Sequence, residues 1–329
     1  MRRLLLRTDV ILPLTALLAA VVAFALVPVY SGQSVAAFNV FFTLQGFSTL
    51  ALITLGFGLV IVAGEFDLSI VGVYALSGVI AVDFGERQPL VGLIAAVAIC
   101  TAFGAIQGYV IAKMRIASMP VTLGTYIAIL GITLSIGHGS LSLTFNNVAS
   151  SLWFQKEILN VLSPESIIAI IVFVIAGVVM AVTRWGREIR AIGSDRASAR
   201  TAGVPVDRLL VALFATSAAL GSLAGVLVTF ATASASTNPG TDPMIFGITG
   251  ALIGGVSLRG GRGTVMGMFA GALVISLLQQ IFEITSYASY ITEFIFGAAL
   301  FVVVAVDAPG LRASFARMRS HRGLREIEK

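Results

Sequence analysis

An all-α polytopic membrane protein is the fold class the sequence predicts, and three observations predict it. Hydrophobic residues make up 57% of the 329 residues and charged ones only 11%, whereas a soluble domain carries roughly a quarter charged residues. The apolar residues fall into ten runs, most of them near the roughly 20 residues a helix needs to cross a hydrocarbon core. The Lys and Arg between those runs alternate between abundance and near absence, as expected for a chain that faces two sides of a membrane.

The first run, about Val10–Val29, follows Arg2, Arg3 and Arg7. It is longer than the apolar part of a signal peptide and no small-residue cleavage site follows it, so it reads as a span. The second, about Val40–Ala63, stops at Gly64, a helix breaker. The third, about Leu68–Phe84, begins behind Asp67, which can cap a helix and favours its positive dipole end. The fourth, about Leu90–Ala112, stops at Lys113 and Arg115, and the fifth, about Val121–Ile136, starts behind Pro120. The sixth, about Ile167–Val182, leads into the longest polar interruption of the chain. Runs at about Leu209–Thr232, Met244–Leu258, Val265–Phe282 and Tyr290–Val306 complete the set. G-x-x-x-G recurs at Gly104/Gly108, Gly221/Gly225, Gly250/Gly254 and Gly267/Gly271. Small residues one turn apart let helix backbones approach closely where burial between helices gives no drive.

Residues 1–329 thus read as one transmembrane domain, with both termini and a basic tail at 307–329 on the cytoplasmic side. In that orientation all of the 21 Lys and Arg except Arg87 and Lys156 face inward, and the reverse orientation inverts the ratio. The net charge of +5 is therefore a positive-inside signal rather than a nucleic-acid footprint, and the tail is expected to touch anionic lipid. Cys100 is the single cysteine, so no intramolecular disulfide can form.

The polar interruption, 184–208, is expected to be a cytoplasmic loop holding a short helix over 194–203. Ser194 is expected to N-cap it and Asp195 to add charge to its first turn. Gly203 is expected as a left-handed C-cap, with Pro205 as a stop. Arg196 and Arg200 lie four apart and so share one face. A capped basic helix between two spans is a candidate docking peg for a partner protein.

Three blocks resemble those of permease subunits of ATP-binding-cassette importers, specifically the ribose-type sugar permeases. They are G-E-F-D-L-S at 64–69, G-R-E-I-R-A-I-G-S-D-R-A-S-A-R-T-A-G-V at 186–204, and G-G-V-S-L-R-G-G-R-G at 254–263. The family commonly has glycine where this chain has Glu65, and a neutral residue where it has Arg259. The resemblance implies a fold like that of the cobalamin-type importers, in a bacterial cytoplasmic membrane. It implies a second permease subunit, one or more ATPase chains that carry ATP and Mg, and an extracytoplasmic solute-binding protein. It also implies that the 184–208 loop, through Gly193, Ser194, Asp195, Arg196, Arg200 and Gly203, couples the permease to the ATPase.

The other two blocks are inner turns. Glu65, Asp67 and Ser69 either shape the turn between the second and third spans, or contact the ATPase or brace a moving gate. Arg259 and Arg262 lie in a glycine-rich turn that lacks the Lys-Ser/Thr of a nucleotide loop, so it reads as a tight turn with anchoring arginines. No ATP hydrolysis, catalytic residue, metal site or cofactor is expected on this chain.

Short, glycine-interrupted spans in the two halves of a transporter point towards a substrate path. That makes Thr122, Thr125 and Tyr126 on the fifth run and Thr249 on the eighth candidate lining residues, although threonine hydroxyls often bond the preceding helical turn instead. No acid or base falls deep in a run, whereas ion-coupled carriers usually bury one. The polar groups well inside the runs are neutral, such as Gln45, Gln107 and Gln279. They suit a neutral polyhydroxylated solute, and they suit helix packing equally. A branched-chain amino-acid or nucleoside permease of the same superfamily is the alternative, with an ion-coupled secondary carrier behind it.

Overall fold

The computed structural model describes the backbone of residues 2–307 and the side chains of residues 11–305. The tail beyond Asp307, with its expected lipid contact, and the Arg2, Arg3 and Arg7 side chains lie outside the described residues.

The chain opens with α1 (Arg2–Ala25), α2 (Val27–Ser31), α3 (Ala37–Val62), α4 (Ile70–Gly85), α5 (Pro89–Met114) and α6 (Ser118–Ile136). A strand β1 (Ser142–Thr144) and a short α7 (Val148–Phe154) lead to α8 (Pro164–Val182). Then come α9 (Arg184–Ser194), α10 (Arg196–Thr201), α11 (Val206–Thr232), β2 (Ser234–Ser236), α12 (Asp242–Ile253), α13 (Val265–Ile284) and α14 (Ser289–Asp307). Among the described residues six helices, α3, α5, α6, α8, α11 and α13, are long and apolar enough to cross a membrane. Four shorter apolar helices lie within α1, α4, α12 and α14.

Helix α3 is apolar on all sides, and nearly every residue from Phe47 to Val62 is buried, as expected of a helix with no polar face. It is the axis of the bundle, packed by α8, α11, α12 and α13, while α11 also fills the space against α4 and α5. The outer helices instead expose large apolar side chains, among them Ile94 and Ile106 of α5, Ile127 of α6, Val174 of α8 and Phe301 of α14. Apolar faces on this scale mark a surface covered by lipid or protein rather than by water.

The repeated G-x-x-x-G pairs are where the backbones close up. Gly250 and Gly254 of α12 face Gly271 and Gly267 of α13, and a Cβ on Gly254 would come 2.5 Å from the Gly267 carbonyl oxygen. Gly104 of α5 meets Phe214 of α11, and Gly221 of α11 meets Ile70 of α4, each against a backbone carbonyl. In lipid such close contact supplies what burial supplies in water.

One feature departs from an all-α fold. β1 and β2 pair antiparallel, with Leu143 opposite Ala235, and Phe145 N–H donates to the Ala233 carbonyl at 2.9 Å. Two short polar connections, brought side by side by the helices that carry them, satisfy their backbone groups on each other. The pairing joins segments far apart in sequence, so no local hairpin signal announces it.

Candidate functional site

The three sequence blocks meet in space. Helices α3, α10 and α12 all end in the same way: a glycine at Gly64, Gly203 or Gly255 takes φ +79, +81 or +82. After α3, Gly64 N–H donates to Ile61 O at 2.8 Å and Glu65 N–H to Val60 O at 3.1 Å. After α10, Gly203 N–H donates to Arg200 O and Val204 N–H to Ala199 O, both at 3.0 Å. These are Schellman motifs, whose left-handed residue only glycine adopts without strain. The expected C-cap at Gly203 is therefore present.

The N-cap is not where it was expected. Ser194 completes α9, its hydroxyl donating to Arg190 O at 2.8 Å. Asp195, with extended backbone, caps α10 by accepting from Ser198 N–H at 2.9 Å. The run before it is itself helical, so the break falls one residue later and the aspartate takes the cap position. That backbone N–H holds the Asp195 carboxyl below the usual carboxylate range. The helix spans Arg196–Thr201, shorter than the 194–203 expected.

At the junction itself, the carbonyl of Val62 accepts from Gly261 N–H at 2.7 Å. Gly193 sits against the same carbonyl, with no room for a Cβ. A Cβ on Gly260 would lie 2.8 Å from both Gly193 O and Gly64 Cα. Three turns thus touch backbone to backbone, and a cleft of about 330 Å³ opens beside them, lined by Gly193, Ser194, Ser257, Arg259, Gly260 and Arg262.

Charge ties the same turns. Arg196 of α10 pairs with Glu65, which is nearly buried, while Arg200 pairs with Asp207 at the start of α11. The two arginines share a helix face as expected, yet each guanidinium has a carboxylate partner within the chain.

From Glu65 the turn runs into a polar network. Asp67 Oδ1 accepts from Ser69 N–H at 3.1 Å, Ser69 Oγ at 2.5 Å and Gln107 Nε2 at 3.2 Å. Gln107 also donates to Ser69 Oγ at 2.9 Å, and Thr125 Oγ1 donates to Gln107 Oε1 at 2.6 Å. Phe66 N–H donates to Ser118 Oγ at 2.9 Å, and Thr122 Oγ1 to Phe66 O at 3.3 Å. Burial pushes the Asp67 carboxyl up, against the opposing pull of the Ser69 and Gln107 hydrogen bonds. Asp67 shapes the turn that leads into α4 and binds that turn to α5 and α6.

The candidate lining residues separate. Thr122 and Thr125 belong to this network. Thr249 is fully buried and donates to Ile245 O at 2.6 Å, one turn back. Tyr126 OH donates to Gly240 O at 3.4 Å. Gln45 lies at the opposite end of α3 in a separate polar pocket with Glu165. Glu165 and Ser118 were not picked out from the sequence. Ser163-Pro164-Glu165-Ser166 has the form of a helix start, the one local signal that pointed at Glu165.

Comparison with known proteins follows from this geometry. The family model described as branched-chain amino acid transport system / permease component matches residues 39–304. The ribose import permease protein of Escherichia coli strain K12 is 31% identical, with 88% of this chain and 92% of that protein covered. The fructose import permease protein of Rhizobium meliloti is 29% identical, with 90% and 84% covered. An inner membrane ABC transporter permease protein of Escherichia coli strain K12 is 28% identical, with 78% and 80% covered. No solved structure matches. The apolar bundle, the three converging turns and these matches lead to one assignment: the chain belongs to the permease-component family of branched-chain amino acid transport systems, among relatives of the ribose import permeases.

Proposed function

We propose that this chain is the membrane-spanning permease subunit of an ATP-binding-cassette importer for a monosaccharide or sugar-like solute. The observation that carries the reading is the 31% identity to a ribose import permease over 92% of that protein's length. The family description names branched-chain amino acids, but the two relatives compared above whose names give a solute are import permeases for ribose and fructose. That favours sugar over amino acid.

In this reading the six long and four shorter apolar helices make ten spans, with both ends of the chain and the three-turn junction inside. A second permease copy or homologue completes the pore, a solute-binding protein delivers the solute outside, and ATP with Mg is bound and hydrolysed on a separate chain. α10 docks on that ATPase. Its displacement passes through Arg196–Glu65 and the Gly193–Gly260 contact to the α3–α4 turn. From there the Asp67–Gln107–Thr125 hydrogen bonds carry it to α5 and α6. Discrete packed contacts of this kind can transmit a two-state motion.

The test is uptake in proteoliposomes containing the permease, its ATPase and binding protein. Uptake should require ATP and an intact phosphate-binding lysine on the ATPase. Uptake driven by an ion gradient with no ATPase present would move the chain to the secondary carriers.

A further inference from the structure

We infer that a single copy of this chain carries its own monosaccharide-binding pocket in its outer half, with Glu165 at the floor. The inference rests on the sugar-importer reading and adds a site within the chain.

The pocket, of about 320 Å³, lies between the start of α3, the first turn of α8 and the ends of α11 and α13. That is the end of the bundle opposite the three-turn junction, and in the proposed orientation the side from which solute arrives. The volume falls at the small end of the roughly 300–1,000 Å³ typical of ligand sites. It exceeds what one water would occupy.

The lining has the chemistry of a polyol site. Gln45, Gln279 and Gln280 present amides, each with donors and an acceptor, which match hydroxyls that both give and take hydrogen bonds. The side-chain amides of Gln279 and Gln280 are not engaged with any other described residue. Phe42, partly exposed, adds an apolar face for the carbon side of a sugar ring.

Glu165 supplies the second, independent observation. It is 1% exposed, and its Oε2 accepts from Ser48 Oγ at 3.2 Å. Its Oε1 is buried with no hydrogen-bond partner. An orphaned carboxyl oxygen in a desolvated site is costly, and a ligand hydroxyl donating to it would remove that cost. A second carboxylate, Glu283, also lines the pocket, but a divalent cation is the poorer occupant, because among the described residues no three His, Cys, Asp or Glu gather.

The experiment uses the complete importer with Cys100→Ala and Gln279→Cys on the permease. Gln279 is half-buried on α13 and lines the pocket. A small charged methanethiosulfonate reagent is applied from outside, with and without the transported monosaccharide. Sugar at about ten times its dissociation constant should slow labelling about tenfold, by occupancy alone. Labelling of Ser150→Cys on α7, outside the pocket, should not change with sugar. In parallel, Glu165→Ala should raise the uptake KM by about tenfold and Glu165→Gln, which keeps an acceptor oxygen, by less. If Glu165→Ala fails to reach the membrane, the labelling arm still decides. Sugar uptake with no protection at Gln279→Cys would overturn the pocket and leave the importer reading standing. Protection by sodium ion alone would overturn the carbohydrate assignment. An intact importer that takes up no monosaccharide would remove both readings.

Discussion

Arg196, at the first position of α10, pairs with Glu65 in the turn that follows α3, 131 residues earlier in the chain. Glu65 is 6% exposed and sits beside the backbone contact between Gly64 and Gly260. The pair therefore joins the candidate docking helix to the central helix of the bundle by charge, next to where Gly193 of α9 meets that helix by backbone contact.

That placement yields the first prediction. Arg196→Glu should set two carboxylates against each other and reduce uptake by about tenfold or more, with little change in membrane abundance. The stability cost should stay near 1 kcal/mol, because the Arg196 side chain is 42% exposed and solvent screens the pair. Exchanging both, Glu65→Arg with Arg196→Glu, should restore part of the uptake. A double exchange as inactive as the single change would show that Arg196 acts on the ATPase surface and not through Glu65.

The second prediction concerns Asp67. Its folded carboxyl sits above the ordinary value of 3.8, so ionising it costs the folded state. The sign follows: the penalty is absent below the ordinary value, grows as pH rises towards the raised one and is complete above it. Asp67→Asn keeps the Oδ1 acceptor without the charge, so it should flatten this loss of stability with rising pH. Asp67→Ala should destabilise by about 1–3 kcal/mol through unpaired donors on Ser69 and Gln107. Thermal unfolding in detergent across pH would read both, and an unchanged pH slope in Asp67→Asn would exclude Asp67 as its source.

Two glycines give a third prediction, because they are required for different reasons. Gly203→Ala strains a left-handed cap in open space and should cost about 1–2 kcal/mol. Gly193→Ala drives a methyl into the Val62 carbonyl and must separate α9 from α3, so uptake should fall in proteins that still assemble. Equal behaviour of the two variants in membrane abundance and uptake would argue against a tight junction.

Orientation gives the fourth. With Cys100→Ala, single cysteines at Ser150 and Ser198 should label from opposite sides: Ser150 in spheroplasts with an impermeant reagent, Ser198 only after permeabilisation. Labelling of Ser198 from outside would invert the arrangement of inner and outer turns.

Much of the fold was legible because its signals are local. Each of the ten apolar runs overlaps helix, although the first is divided between α1 and α2 and the eighth outlasts α12, which ends at Ile253; Gly64 and Gly203 end helices as their positions in sequence require. The cap at Asp195 was missed by one residue. Serine and aspartate are equally good caps, and only the extension of α9 through Ser194 decides between them. Thr249 and Thr125 look alike in sequence and each hydroxyl lies within hydrogen-bond distance of a carbonyl one turn back, but only that of Thr125 also reaches Gln107 on α5.

By itself the sequence determined the membrane-spanning helical class, the order of the helices and the three turns that carry polar chemistry. These depend on hydropathy, caps and charge over one or a few helical turns. Only the tertiary structure decided that those three turns touch, that Arg196 is held by Glu65, and that Glu165 lies beside Gln45 and Gln279 in a pocket at the far end. The physical reason is range. A hydrogen bond or ion pair acts over a few ångströms, and residues more than a hundred positions apart come that close only after the glycine-lined helices have packed.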